Sequence, residues 1–251
     1  MGGLRHRYEV RRDDFDVLSA RLLRERPHAV DRIVFHAGDL GRKHLRVAFN
    51  RGPVPSGSPG PLSPQMLNEL RKENGAIPKV EILEGNVGYM RVNGVPPVDV
   101  ARPAVAAAFA FLHNTDALII DDRGNGGGDP NTVAVYVSYV SEGKPFVVNT
   151  FHSREGSRVE EFKTTELGDL AYGVQKPVFV LISSMTFSGG EELAYDLQAL
   201  KRAVIVGEVT GGGANPVTPV VLGHQFVVSM PTAQGSTNQF QNLPGVPLLR
   251  L

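Results

Sequence analysis

An α/β fold, with a mostly parallel sheet and helices on both faces, is predicted by three features of the sequence. The runs Ala117-Leu-Ile-Ile-Asp121 and Val178-Phe-Val-Leu-Ile182 are short and continuously apolar, as in strands buried on both faces. They alternate with segments of helical length. Glycine-rich polar turns follow the strands, where open α/β sheets collect ligands.

Along the chain, Phe15, Val17, Leu18 and Leu22 predict a short helix over 14–25. Segments 30–35 and 44–49 read as short strands or a helix end. Gly, Pro and Ser dominate 51–61, a linker or surface loop. Ser63 opens a helix over 64–72. Strands at 80–83 and 87–92 form a hairpin around Glu84-Gly85-Asn86. A helix over 100–112, the strand at 117–121, a helix over 130–140 and a strand over 145–150 follow. The strand at 178–182, a helix over 189–200 and a strand over 203–207 repeat the β-α-β pattern. Segment 217–230 alternates as strands and then fades into irregular sequence. The chain divides into a small N-terminal attachment with its linker (1–63) and an α/β core (64–251).

Composition narrows the function classes. At 251 residues and 41% hydrophobic, the chain can bury a sizeable core. Twenty-six basic residues balance twenty-six acidic ones, which leaves no electrostatic footprint for nucleic acid. There is no cysteine, so disulfides, thiolate catalysis and Cys-ligated zinc are excluded, and no metal or cofactor is expected. No apolar run reaches the roughly 20 residues of a membrane span. The N-terminus is polar and arginine-rich, without an apolar signal segment. As written the chain reads as cytoplasmic, or as exported if a leader has been removed.

Three turns can build a site: Asp121-Asp-Arg-Gly-Asn-Gly-Gly-Gly128, Ser183-Ser-Met-Thr-Phe-Ser-Gly-Gly190 and Gly207-Glu-Val-Thr-Gly-Gly-Gly-Ala-Asn-Pro216. In the first, glycines let amides face a cavity, and Asp129-Pro130 reads as N-cap and first helical residue. A dinucleotide fingerprint fails at Asp129, and no turn carries the lysine of a phosphate-binding loop. In the second, Ser188-Gly-Gly-Glu191 reads two ways. It is a capping box, or it presents a nucleophilic hydroxyl beside the Gly189 amide at a positive helix end.

The segments Val87-Gly-Tyr-Met-Arg-Val92, Asp121–Gly128, Thr186-Phe-Ser-Gly-Gly-Glu-Glu-Leu-Ala-Tyr195 and Arg202–Pro216 resemble, in order and spacing, the core of the S41 peptidases, the C-terminal processing or tail-specific proteases. The branch it is most similar to is that of interphotoreceptor retinoid-binding protein. The resemblance implies a β-α-β core like that of ClpP and the crotonases. It makes Ser188 the nucleophile and Gly128 and Gly189 the oxyanion amides, with Glu191, Asn125 and Thr210 in supporting positions. The lysine base of one branch is absent, since its turn here is Gly211-Gly212-Gly213. The stretch between His44 and Val87 is too short for a PDZ module.

A serine nucleophile needs a base, and seven histidines are present. His44, in Gly41-Arg-Lys-His-Leu-Arg-Val47, matches the segment that supplies this histidine in the retinoid-binding-protein-like branch, although Arg42 stands where the family has Asp. Near the C-terminus Gln241 takes the position of an orienting glutamate. A neutral amide holds a tautomer but stabilises an imidazolium less than a carboxylate does. The expected function is a serine peptidase-like hydrolase acting on peptides through Ser188 and His44, weak or degenerate. The alternatives are a binding module for an apolar small molecule, or a fold repurposed for a non-hydrolytic step on a metabolite.

Overall fold

The computed structural model describes residues 32–36, 46–50, 62–153, 158–213, 216–222 and 226–237. The helix expected over 14–25, the linker at 51–61, His44 and Gln241 lie outside the described residues.

Twelve described strands and four α-helices follow one another: β1 (Arg32–His36), β2 (Arg46–Asn50), α1 (Pro64–Lys72), β3 (Lys79–Leu83), β4 (Val87–Arg91), α2 (Val98–Leu112), β5 (Ala117–Asp121), α3 (Pro130–Val140), β6 (Val147–Ser153), β7 (Val159–Lys163), β8 (Val178–Ile182), α4 (Gly189–Ala199), β9 (Val204–Gly207), β10 (Val217–Leu222), β11 (Phe226–Pro231) and β12 (Ala233–Thr237). They form a five-stranded sheet in the order β3-β4-β5-β8-β9, a four-stranded sheet β1-β2-β11-β10 and a three-stranded sheet β12-β6-β7. In the five-stranded sheet β4, β5, β8 and β9 are parallel and β3 pairs antiparallel with β4. This is the mixed α/β architecture, with a mostly parallel sheet flanked by helices, that the alternation of runs predicts.

Direct pairing places Met90, Ile120, Val180 and Ile205 in one row across the sheet. That row is buried with Phe109 of α2, Tyr136 of α3 and Leu193 and Leu197 of α4 in a single apolar cluster. Burying such side chains stabilises the fold by about 1.5–3 kcal/mol each. The neighbouring row, on the other face, carries Tyr89, Ile119, Phe179 and Val204.

Local signals start the helices. Ser63 Oγ accepts from Met66 N–H ahead of Pro64 in α1. Asp129 accepts from Asn131 N–H ahead of Pro130 in α3. Helix α2 begins two residues earlier than expected because the same Asp129 reaches across and accepts from Val98 N–H at 3.0 Å. Strand β7 escapes sequence reading because in Val-Glu-Glu-Phe-Lys only Phe162 is buried. Strand β12, Ala-Gln-Gly-Ser-Thr, carries no strand pattern and owes its form to pairing with β6.

Since β5, β8 and β9 are parallel, the turns after Asp121, Ile182 and Gly207 emerge at one edge of the sheet. Gly128 and Ser188 share that edge, as right-handed crossovers require.

Candidate active site

Ser188 stands between β8 and α4 with φ +53° and ψ −120°. An N-cap ordinarily has extended backbone, and a positive φ on a non-glycine residue costs of order 1–3 kcal/mol. The capping box alone therefore does not account for this residue. The Glu191 half of the box is made, its carboxylate accepting the Ser188 N–H at 2.9 Å. The Ser188 hydroxyl lies near enough to complete the box loosely, without forming a well-made cap bond.

Glu191 does more than cap. It is 3% exposed, and its two oxygens also accept from Thr210 Oγ1 at 2.6 Å, Gly212 N–H at 2.6 Å and Gly213 N–H at 2.5 Å. One carboxylate thus joins the turn after β8 to the turn after β9. Thr210, a supporting position by resemblance, is held by this bond.

Asn125 joins the first turn to the second. Its Oδ1 accepts from Gly127 N–H at 2.8 Å, its carbonyl accepts from Phe187 N–H at 2.9 Å, and its Nδ2 donates to Asp122 Oδ1 at 2.7 Å. Thr186 adds a second tie by donating from Oγ1 to the Asp122 carbonyl at 2.9 Å. Burial pushes the Asp122 carboxyl well above the usual carboxylate range, and the neighbouring Asp121 charge adds to this.

The two glycine turns touch backbone to backbone. A Cβ on Gly127, at φ +96°, would lie 2.6 Å from Gly189 N and 2.7 Å from Ser188 Cβ. A Cβ on Gly189 would lie 3.0 Å from Gly128 N. The Gly128 and Gly189 amides are therefore neighbours beside Ser188. Neither donates a hydrogen bond to another group among the described residues. An amide left unpaired on the buried Gly189 is uncommon and calls for an acceptor.

Two cavities meet at the Gly128–Asp129 turn. One, of about 860 Å³, runs between α1 and the segment Asn93–Pro97. The other, of about 400 Å³, is lined by Ser188 and Gly189 at one side and by Phe151, Phe162, Pro216 and Val217 as apolar walls. Glu192 also lines it and accepts from Asn149 Nδ2 at 3.0 Å. Burial, and then the Asp129 charge, push the Glu192 carboxyl up to about 7 against the Asn149 hydrogen bond. One turn along α4, Asp196 is 1% exposed, and neither carboxylate oxygen has a hydrogen bond. Glu192 escapes sequence reading because an acid in the first turn of a helix usually faces water, and Asp196 because acids are mostly exposed wherever they stand. Their i, i+4 spacing on one face with Leu193 and Leu197 buried alongside is the signal that was available.

Among the described histidines with described side chains, His113 follows α2, away from the edge that carries Ser188, and His152 lies on β6. Neither hydrogen-bonds Ser188. Among the described residues no group of His, Cys, Asp and Glu could hold a metal ion, and no helix is long and apolar enough to cross a membrane.

Residues 86–246 match the family described as Peptidase family S41. Over 171 residues the chain is 28% identical to the carboxy-terminal-processing protease of Bartonella bacilliformis, covering 65% of this chain and 38% of that relative. The chain thus spans about two fifths of the relative's length. Among solved structures it resembles the photosystem II D1 C-terminal processing protease, with a TM-score of 0.52, 23% identity, and coverage of 68% of this chain and 44% of that one. It also resembles a lipoprotein from Streptococcus agalactiae, with a TM-score of 0.54, 14% identity, and coverage of 75% and 69%. These two likenesses are of fold.

Glu191→Ala leaves three amides and a hydroxyl without their acceptor, so it should cost about 3 kcal/mol or more in urea unfolding. A loss below about 1 kcal/mol would show that Glu191 is an ordinary cap. Glu192 gives a pH signature. Its folded pKa near 7 exceeds the ordinary 4.5, so the native chain keeps a proton that the unfolded chain releases. Its contribution to stability therefore falls as pH rises from 4.5 to about 7 and stays low above that. Glu192→Gln removes this titration, and its stability relative to wild type should rise by up to about 3 kcal/mol across the window. A difference independent of pH would contradict the raised pKa.

Proposed function

The chain belongs to peptidase family S41, and from that premise we propose that it hydrolyses peptide bonds with Ser188 as nucleophile. The observation that carries this reading is the pair of unengaged amides, Gly128 and Gly189, beside a serine held at positive φ on a strand-to-helix turn. Ser188 Oγ attacks the carbonyl carbon while its proton passes to His44. The carbonyl oxygen becomes an oxyanion that accepts from the two amides. The C–N bond breaks, the leaving amine takes the proton from His44, and an acyl-serine remains. Water then attacks the acyl-serine with His44 again as base, which frees the acid product and restores Ser188. Gln241 holds the imidazole in the required tautomer.

The register of the four-stranded sheet supports His44 as the base. Strand β2 begins two residues after His44, with Arg46 opposite Ser229 of β11. That end of the sheet is the one at which Pro231 pairs with Val217, a wall of the cavity at Ser188. A second reading, an apolar-ligand module, draws on the 860 Å³ cavity and its lining by Leu70, Val95, Pro96 and Pro97.

A fluorophosphonate probe should label Ser188, and Ser188→Ala should abolish labelling. His44→Ala should slow it by on the order of 100-fold or more. Failure to label wild type beside a labelled control hydrolase, together with saturable binding of an apolar ligand, would replace the peptidase by the binding module. Gln241→Glu should raise labelling or turnover about fivefold, the equivalent of roughly 1 kcal/mol for a charged over a neutral partner. An unchanged rate would remove Gln241 from the site.

A further inference from the structure

Resting on the peptidase reading, we infer that the cavity beside Ser188 receives the side chain of the residue whose carbonyl is attacked, and that Glu192 makes it select lysine or arginine. Position comes first. The cavity is lined by Ser188, Gly189 and Gly128, the nucleophile and oxyanion residues of the proposed mechanism. The substituent on the acyl carbon is the group adjacent to those three.

Shape and polarity come second. Phe151 and Phe162, edge to face at 4.7 Å, form an apolar wall with Pro216 and Val217. Lysine and arginine carry an apolar stem that suits such walls and a cationic tip that needs a polar end. Among the described residues, the acids lining the cavity are Asp129, Glu160 and Glu192, with no Lys or Arg beside them. Asp129 is engaged by Val98 N–H and by the Asn131 amide and side chain. Glu160 sits half-exposed near Arg158, at 3.5 Å. Glu192 is 6% exposed, one oxygen accepts from Asn149, and Oε2 has no hydrogen bond among the described residues. It is the buried carboxylate with an open acceptor at this cavity.

Third, the buried acids lack compensation among the described residues. Buried carboxylates are ordinarily paired or fully hydrogen-bonded, yet Glu192 and Asp196 together hold one hydrogen bond. An entering ammonium or guanidinium supplies the missing countercharge to Glu192, and a leucine supplies none.

The test uses the full chain and two readouts. Turnover is compared on peptides that differ only in the residue before the scissile bond: Lys, Arg, Leu or Ala. Binding of acetylated product peptides ending in Lys or Leu is titrated into Ser188→Ala. Wild type should prefer Lys or Arg over Leu by about 10- to 100-fold, and Glu192→Gln, nearly isosteric and able to keep the Asn149 bond, should bring the ratio close to one. Asp196→Asn, which does not line the cavity, should leave the ratio within about threefold of wild type. Equal or better use of Leu, or a ratio untouched by Glu192→Gln, overturns the inference while leaving the peptidase intact. No turnover on any peptide, with Lys-selective binding that Glu192→Gln abolishes, overturns the peptidase and keeps the pocket assignment. No turnover and no Lys-selective binding overturns both.

Discussion

The Glu191 carboxylate is the contact on which the geometry of this edge depends. A carboxylate taken out of water costs several kcal/mol, and each charge-assisted hydrogen bond contributes about 1.5–3 kcal/mol. Four donors, from Ser188, Thr210, Gly212 and Gly213, converge on it. The balance favours burial only while all are in place, so the turns after β8 and β9 are held as a unit. That over-determination is what lets Ser188 persist at positive φ, a conformation a lone cap would not sustain. Thus the bland and the sharp reading of Ser188-Gly-Gly-Glu191 are not rivals. The capping bond to the Ser188 amide is one of the restraints that present its side chain.

The first turn depends on steric rather than electrostatic restraint. Gly127 and Gly189 approach so closely that a methyl on either would meet backbone. Asn125 fixes the spacing by bonding both turns, and it rests on Asp122, whose carboxyl burial disfavours in the charged form. That bias against charge on Asp122 matters because a buried anion near these amides would oppose negative charge on their other side. Helix α4 contributes its positive end at the same place.

Much of this was legible. Continuous apolar runs, Ser63-Pro64 and Asp129-Pro130, and glycine-rich strand ends carry local information, and elements built on them appear near their expected bounds. What was not legible depends on distant partners. Strand β12 is set by β6, the first residues of α2 by an Asp129 carboxylate 31 positions away, and the reach of Glu191 to Gly212 and Gly213 by the packing of β8 on β9. Glycines at 124–128 and 211–213 announce close backbone approach, but not to what. The contrast among Glu191, Glu192 and Asp196 is invisible in a string of helix-compatible acids, since only the fold decides which carboxylate meets four donors, one or none.

That contrast bears on the chemistry. Glu191 meets four donors, and its carboxylate is occupied in holding the turns. Glu192, beside the amides proposed to bind the oxyanion, has one donor, and in the ionised form it would oppose the charge that develops there. Two conditions relieve that conflict. Burial and Asp129 keep its proton on below about pH 7, or a cation shares the cavity and cancels the field. A cationic substrate side chain would therefore act twice, occupying the open acceptor of Glu192 and shielding the oxyanion from it. A substrate with an apolar side chain leaves protonation as the one means of relief. On this view the residue that confers selectivity and the residue that threatens the transition state are the same carboxylate, and the substrate's own charge decides which role it plays.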